Sequence, residues 1–208
     1  MRAVFRDKWL LVIDKPSGLA SQPDEDGSGQ DMFTRLSRKE RYVGLHHRLD
    51  QPASGLIVVA LDPKINAALA GAFFNHEVER TYLAVLAGDA LQTGQRLTWD
   101  KPLDGVPAVT DVEVLGTGGG MIAARFTLQT GRTHQIRQHA AMAGTPIVGD
   151  RRYGGDAGTW LERLALHAAR LKLKHPVTGA MMTWIAPLPS PLDDAWTAAG
   201  GPADALKG

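Results

Sequence analysis

The chain has 208 residues, 44% of them hydrophobic, enough for one sizeable core and short for two independent domains of ordinary size, so a single domain over 1–208 is expected. Cysteine is absent, which excludes disulfide frameworks and Cys-based zinc sites and fits a reducing compartment such as the cytoplasm. Lys and Arg number 23 against 22 Asp and Glu, so the formal charge of +1 neither indicates nor excludes a nucleic-acid partner. The first eight residues meet charge before any apolar run of signal-peptide length, and no apolar stretch approaches the roughly 20 residues that span a bilayer. A soluble, unexported protein is therefore expected.

In chain order, the apolar run 9–13 predicts a buried strand, ended by a turn at Lys15-Pro16-Ser17-Gly18. Residues 22–30 are polar and predict a loop. A second strand is predicted over 55–61, halted by Asp62-Pro63; Pro63 suits the first turn of a helix through about Phe74, with Asp62 as N-cap. Residues 80–86 predict a further strand. Two more, at 110–115 and 121–128, flank a glycine-rich hairpin connection at 116–120. Thr133 is placed to cap a helix through about Met142 that ends at Gly144. On that helix Ile136, Ala140 and Ala143 share one face, and helical spacing turns Arg137 away from it. A run at 164–173, a turn at 175–179, a strand at 182–185 and a Pro-rich exit at 187–191 complete the series. Strands outnumber helices and several are close neighbours, which predicts an α+β protein with a largely antiparallel sheet.

Charge is distributed unevenly. Acidic residues gather at Asp24-Glu25-Asp26 and at Asp193-Asp194, and basic residues around 35–41, 132–137, 151–152 and 170–174, local patches that suit phosphate contacts. Three polar segments sit beside predicted core elements: His46-His47-Arg48-Leu49-Asp50, Arg80-Thr81-Tyr82, and Gly131-Arg132-Thr133-His134-Gln135-Ile136-Arg137. A carboxylate drawn into a partly dry environment needs a cation, and both Arg48 and Arg137 are candidates for Asp50.

These segments carry a family resemblance. His47-Arg48-Leu49-Asp50-Gln51-Pro52-Ala53-Ser54-Gly55-Leu56 resembles the signature of the RluA-type pseudouridine synthases, the branch that includes RluC and RluD. Leu11-Val12-Ile13-Asp14-Lys15-Pro16-Ser17-Gly18-Leu19 is similar to that family's first motif, and Arg80-Thr81-Tyr82-Leu83-Ala84-Val85 to its tyrosine segment. Gly131-Arg132-Thr133-His134-Gln135-Ile136-Arg137-Gln138-His139, continued by Gly149-Asp150-Arg151-Arg152-Tyr153-Gly154, resembles its third motif; Leu166-His167-Ala168 and His175-Pro176 close the pattern. The likeness runs in order over about residues 9–189. Ala53 stands where threonine is usual, Arg80 where lysine is common and Gln138 where valine is frequent, departures that bear on substrate preference more than on activity.

The resemblance implies a bilobed α+β catalytic domain, with a mixed, mainly antiparallel central sheet, flanking helices and a central cleft that binds RNA. It makes Asp50 the essential carboxylate, Tyr82 the aromatic that lies against the target base, and Arg137 the arginine that pairs with the aspartate. Arg48 corresponds to an arginine that fills the space left by a flipped nucleotide, and Arg132, His134 and Ile136 join it as substrate-binding positions. The implied reaction is isomerisation of uridine to pseudouridine, which involves neither redox change nor hydrolysis and requires no cofactor. The expected partner is a ribosomal or transfer RNA stem-loop, acted on in the cytoplasm by a monomer with no obligate protein partner and no membrane attachment. The chain begins close to the first motif, so a stand-alone catalytic domain without the S4-like RNA-binding domain of many relatives is expected.

Rival readings are weaker. His46, His47 and Asp50 lack a third-ligand spacing for a metal, and Ser54 does not sit in a Gly-x-Ser-x-Gly elbow. Glycoside hydrolysis would need two carboxylates flanking the bond, and only Asp50 has a motif partner. A non-catalytic RNA-binding or chaperone module would need the cleft without the carboxylate, and is the alternative that Asp50→Asn separates from the enzyme.

Overall fold

The computed structural model describes residues 1–23 and 29–206. The acidic cluster at 24–26 and most of the predicted loop at 22–30 lie outside the described residues. Among those described there are ten strands and four α-helices, an α+β fold with a mixed sheet. The chain divides into two compact units, Met1–Arg80 with Arg170–Ala186, and Thr81–Ala169 with Pro187–Gly208.

In the first unit, β1 (Arg2–Arg6), β2 (Leu10–Lys15), β4 (Ser54–Ala60) and β9 (Leu166–Lys174, of which 170–174 belong here) lie side by side. A short β3 (Gly44–Leu45) pairs with β4, and β10 (Met181–Ile185) with β9. β2 and β4 are antiparallel, from Leu10 opposite Ala60 to Lys15 opposite Gly55. Within them residues 10–13 and 56–60 read as unbroken apolar runs because residues on both faces are buried. On one face Leu10, Val12, Leu56, Val58, Ala60, Leu171 and Leu173 form a core with Ile65 and Leu69. Those last two come from a helical segment that starts as a 3-10 turn at Pro63–Ile65 and continues as α2 (Asn66–Phe74), α1 being Met32–Ser37. Asp62 caps it as expected, its Oδ1 accepting from the backbone N–H of Lys64 at 2.9 Å.

The second unit is built on an antiparallel run in the order β5 (Glu79–Ala87), β8 (Met121–Leu128), β7 (Thr110–Gly118) and β6 (Arg96–Trp99). The hairpin between β7 and β8 is tighter than the sequence suggested. Gly116, Thr117 and Gly118 are still paired in β7, and only Gly119 and Gly120 turn, with φ of +60° and +72°. A two-residue turn with both φ positive matches the twist of the flanking strands. Gly116 is kept small for another reason: a Cβ there would stand 2.1 Å from the carbonyl oxygen of Gly200, just beyond α4 (Leu192–Ala198).

The helix predicted from Thr133 is α3 (Gln135–Met142), and its N-cap is His134, not Thr133. His134 adopts φ +54°, ψ +26° and makes no side-chain cap bond. The tight entry is instead closed by Gln135, whose Oε1 accepts from the backbone N–H of Arg132 at 2.9 Å and the hydroxyl of Thr130 at 2.7 Å. At the other end Thr145 N–H bonds to Ala140 O and Gly144 N–H to Ala141 O, the paired closure that a left-handed glycine allows. Sequence periodicity also passed over β1, β6, α1 and α4, elements of four to seven residues in which period and length carry little signal.

Candidate active site

In the first unit, Asp50 occupies a turn between the short β3 and β4, half-buried, with Leu49 and Ala53 buried on either side of it. The turn closes through the backbone N–H of Ala53 donating to Asp50 O at 3.0 Å. What fixes it is the segment that follows β2. Lys15 is completely buried, and its Nζ lies within hydrogen-bond distance of four carbonyl oxygens, those of Pro16 (3.1 Å), Leu19 (2.7 Å), Gln51 (3.3 Å) and Ala53 (2.7 Å). Two belong to its own loop and two to the Asp50 turn, so one ammonium joins both. Ser17 Oγ donates to Pro52 O at 2.6 Å, Gly18 N–H to Gln51 O at 2.8 Å, and Ser21 Oγ to Leu49 O at 2.7 Å while accepting from Leu49 N–H. A carboxylate on a turn is normally loose; this one has its neighbours at −1, +1, +2 and +3 tied to the end of β2 and the loop that follows it.

The other residues of that motif divide by role. Arg48 is exposed. His47 stacks on Phe73 with ring centroids 4.5 Å apart, and its Nε2 accepts from the backbone N–H of Val58 at 2.9 Å, so the ring proton sits on Nδ1. Burial, with the electrostatic influence of Arg80 and then His46 adding to it, pushes the His47 imidazole down to about 3. His47 is thus a neutral hydrogen-bond acceptor that fixes the start of the turn against β4, not an acid or base working near neutrality.

In the second unit, Tyr82 lies on β5 opposite Phe126 of β8 and is 7% exposed. Arg137 is 5% exposed and Ile136 3%, so both helix faces are enclosed and Ile136 is a core residue. Arg137 forms a two-point bond with Asp150, Nε to Oδ2 and Nη2 to Oδ1, each at 2.8 Å. The same carboxylate accepts from the backbone N–H groups of Arg152 (3.0 Å) and Tyr153 (3.1 Å). Burial alone would push the Asp150 carboxyl up, but Arg137 and the two amides outweigh it and hold it below its ordinary value. The guanidinium of Arg137 also lies over the Tyr153 ring at 5.1 Å, with that of Arg152 at 5.3 Å, and the Tyr153 hydroxyl meets His134 Nδ1 at 3.0 Å. That bond ties the entry of α3 to the loop that carries Tyr153. Arg132 is exposed, its Nε donating to Pro107 O at 3.0 Å.

Lys15 in the first unit, and Asp150 and Tyr153 in the second, therefore position predicted site residues although periodicity offered them no role. Each had a sequence signal: a lysine directly after an apolar run and Asp14, and an acidic and an aromatic residue between Gly149 and Gly154. Among the described residues no group of three His, Asp or Glu side chains could hold a metal ion, and no helix is long and apolar enough to cross a membrane.

Comparison with known proteins places the chain in a family. The family model for RNA pseudouridylate synthase matches residues 9–142. The chain is 33% identical to the dual-specificity RNA pseudouridine synthase RluA of Haemophilus ducreyi, over 88% of this chain and 91% of that protein. It is 32% identical to ribosomal large subunit pseudouridine synthase D of Haemophilus influenzae, over 91% of this chain and 68% of that protein, so it spans about two thirds of that relative's length. Among solved structures, human RNA pseudouridylate synthase domain containing 1 superimposes with a TM-score of 0.75 at 25% identity, covering 93% of this chain and 86% of the human one.

Proposed function

Because the chain belongs to the RNA pseudouridylate synthase family, a family of isomerases, we propose that it converts particular uridines of a structured ribosomal or transfer RNA stem-loop to pseudouridine, with Asp50 as the catalytic carboxylate. The observation that carries this reading is the fastening of the Asp50 turn, within the matched region, by the buried Lys15 ammonium and the Ser17 and Ser21 hydroxyls. A reacting carboxylate has to be held near its working geometry, and this fastening supports that.

The reaction breaks the N1–C1′ bond of uridine, turns the uracil and joins C5 to C1′, so no electrons or water are consumed. An ionised Asp50 attacks the ribose C1′, attacks the base at C6, or removes the 2′ proton. Tyr82 supplies a face for the uracil, a contact worth about 1–3 kcal/mol per base, and a phenol for assisting loss of the C5 proton. Arg137 supplies the compensating cation. Arg48 takes the place of the nucleotide that flips out of its stack at a cost of a few kcal/mol, and Arg132 and His134 hold the strand, with Ile136 behind them. The working unit in this reading is one catalytic domain over 1–208, a cytoplasmic monomer whose partner is the RNA.

The test is pseudouridine mapping of total RNA from cells with and without the gene, followed by treatment of the deletion RNA with purified protein. The wild type restores the missing sites. Asp50→Asn binds the same RNA with affinity retained within a few fold and restores none, its rate falling by at least about 10²–10⁴-fold. Deletion RNA with every site still modified defeats the proposal.

A further inference from the structure

Beside the Asp50 turn lies a cavity of about 180 Å³ lined by Ala20, Ser21, Gln22, Pro23, Arg48, Leu49 and Gln51. It is smaller than the roughly 300–1,000 Å³ of pockets that enclose drug-sized ligands. One planar base fits such a volume; a base with its ribose and phosphate does not. The floor is closed, since Ser21 is 3% and Leu49 4% exposed and Ser21 is bonded to both backbone groups of Leu49. The rim is polar and exposed: Gln22, Gln51 and Arg48.

This lining has the chemistry of a nucleobase. A base offers two apolar faces and one edge of alternating donors and acceptors. Leu49, Ala20 and Pro23 give apolar surface for a face, and the cation of Arg48 at the rim suits the negatively charged strand that carries the base. Gln22 and Gln51 each present a carboxamide, whose neighbouring acceptor and donor match a base edge in bidentate fashion. Gln51 Nε2 donates to Gly18 O at 3.3 Å, which uses one of its two protons and leaves the other, with Oε1, to face a ligand. Leu49 and Gln51 are also the two neighbours of Asp50 in the chain, so whatever fills the cavity sits next to the reacting position.

We infer that this cavity binds an unpaired nucleobase adjoining the target uridine in the RNA strand, and that Gln22 and Gln51 read its edge. It is a specificity pocket rather than part of the reaction, and it rests on the proposal that this chain modifies uridine in RNA. The rigidity supplied by Lys15 then serves two purposes, holding the carboxylate and holding a reader of sequence at a fixed offset from it.

The test starts from a synthetic stem-loop carrying a uridine that wild-type protein modifies in the deletion RNA, with each nucleotide flanking that uridine replaced in turn by an abasic one. For one flanking position, kcat/KM of the wild type falls about 5- to 150-fold. Gln51→Ala, and separately Gln22→Ala, lower kcat/KM on the intact stem-loop and respond less than the wild type to the abasic change, so the double-mutant cycle does not close additively. Both side chains are exposed, and Gln51→Glu, which keeps the shape and loses the donor, guards against a merely loosened turn by changing base preference. Additive effects, or indifference to every flanking base, overturn the pocket while leaving the modification intact. A wild type that modifies no uridine in any RNA overturns the underlying function, so the two failures are told apart.

Discussion

Arg137 and Asp150 form a buried two-point ion pair, 2.8 Å at each contact, with side chains 6% and 1% exposed, and the carboxylate is completed by two backbone N–H groups. The pair joins the third motif's helix to the loop after Gly149, and so decides where the guanidinium points. Asp150→Ala removes the two-point carboxylate from a buried guanidinium. The expected cost is about 3–5 kcal/mol in urea unfolding, with pseudouridine formation reduced in parallel at temperatures where the variant is folded. Asp150→Asn, which keeps the shape and loses the charge, costs less than the alanine variant. Equal stability of all three proteins would remove the pair from any structural role.

The same pair makes stability depend on acid. The Asp150 carboxyl is held below its ordinary value in the folded protein, so its contribution is complete above the unfolded value, near 4. It is lost as the pH falls through the folded value. Unfolding midpoints of the wild type should therefore drop as pH is lowered from about 4, and Asp150→Asn should flatten that part of the curve.

His47 acts over a different window. Its folded value is about 3 and the unfolded one near 6.5, so the unfolded chain binds the extra proton first as pH falls. Stability from this residue is complete above about 6.5 and declines steadily towards pH 3. Replacing His47 with Gln, which retains an acceptor for Val58 N–H, should give a protein whose stability changes less between pH 6 and 4, measured by urea midpoints. An unchanged slope would show that His47 is charged when folded.

Lys15 should behave as the fastening of the turn. Lys15→Met keeps the volume of the stem and takes the ammonium away from four carbonyl oxygens, two of them in the turn that carries Asp50 and one of those, Gln51 O, still bonded to Gly18 N–H. Hydrogen bonds to a charged group are worth about 1.5–3 kcal/mol, so a loss of roughly 3 kcal/mol is expected. Lys15→Arg does not rescue it, because a planar fork cannot replace a compact ammonium in a fully buried site. Turnover should fall more than RNA affinity, as read from single-turnover rates at saturating RNA.

Gly149 offers a purely steric check. Its φ is +74°, and a Cβ there would lie 1.9 Å from the carbonyl oxygen of Arg163, so backbone would have to move against backbone. Gly149→Ala should cost roughly 3 kcal/mol or more by thermal or urea unfolding, and Gly120→Ala, with open space around it, distinctly less.

Much of this protein was written locally in its sequence. The apolar runs of β2 and β4, the Asp62 cap, the 121–128 strand and the Gly144 stop are set by short-range rules: side-chain period, a capping oxygen, a residue that accepts positive φ. The ordered motifs around Asp50, Tyr82 and Arg137 likewise indicated the family that comparison with known proteins establishes. What only tertiary structure decided is who pairs with whom. Nothing in residues 131–137 says that Gln135 rather than Thr133 closes the helix entry, or that Arg137 holds Asp150 in two-point contact. Nor does Lys15, read as the start of a turn, announce that its ammonium will meet carbonyls 36 and 38 residues onward. Periodicity and capping act over a few residues. A buried charge must find its partners wherever the fold brings them, and that distance along the chain is invisible to any local rule.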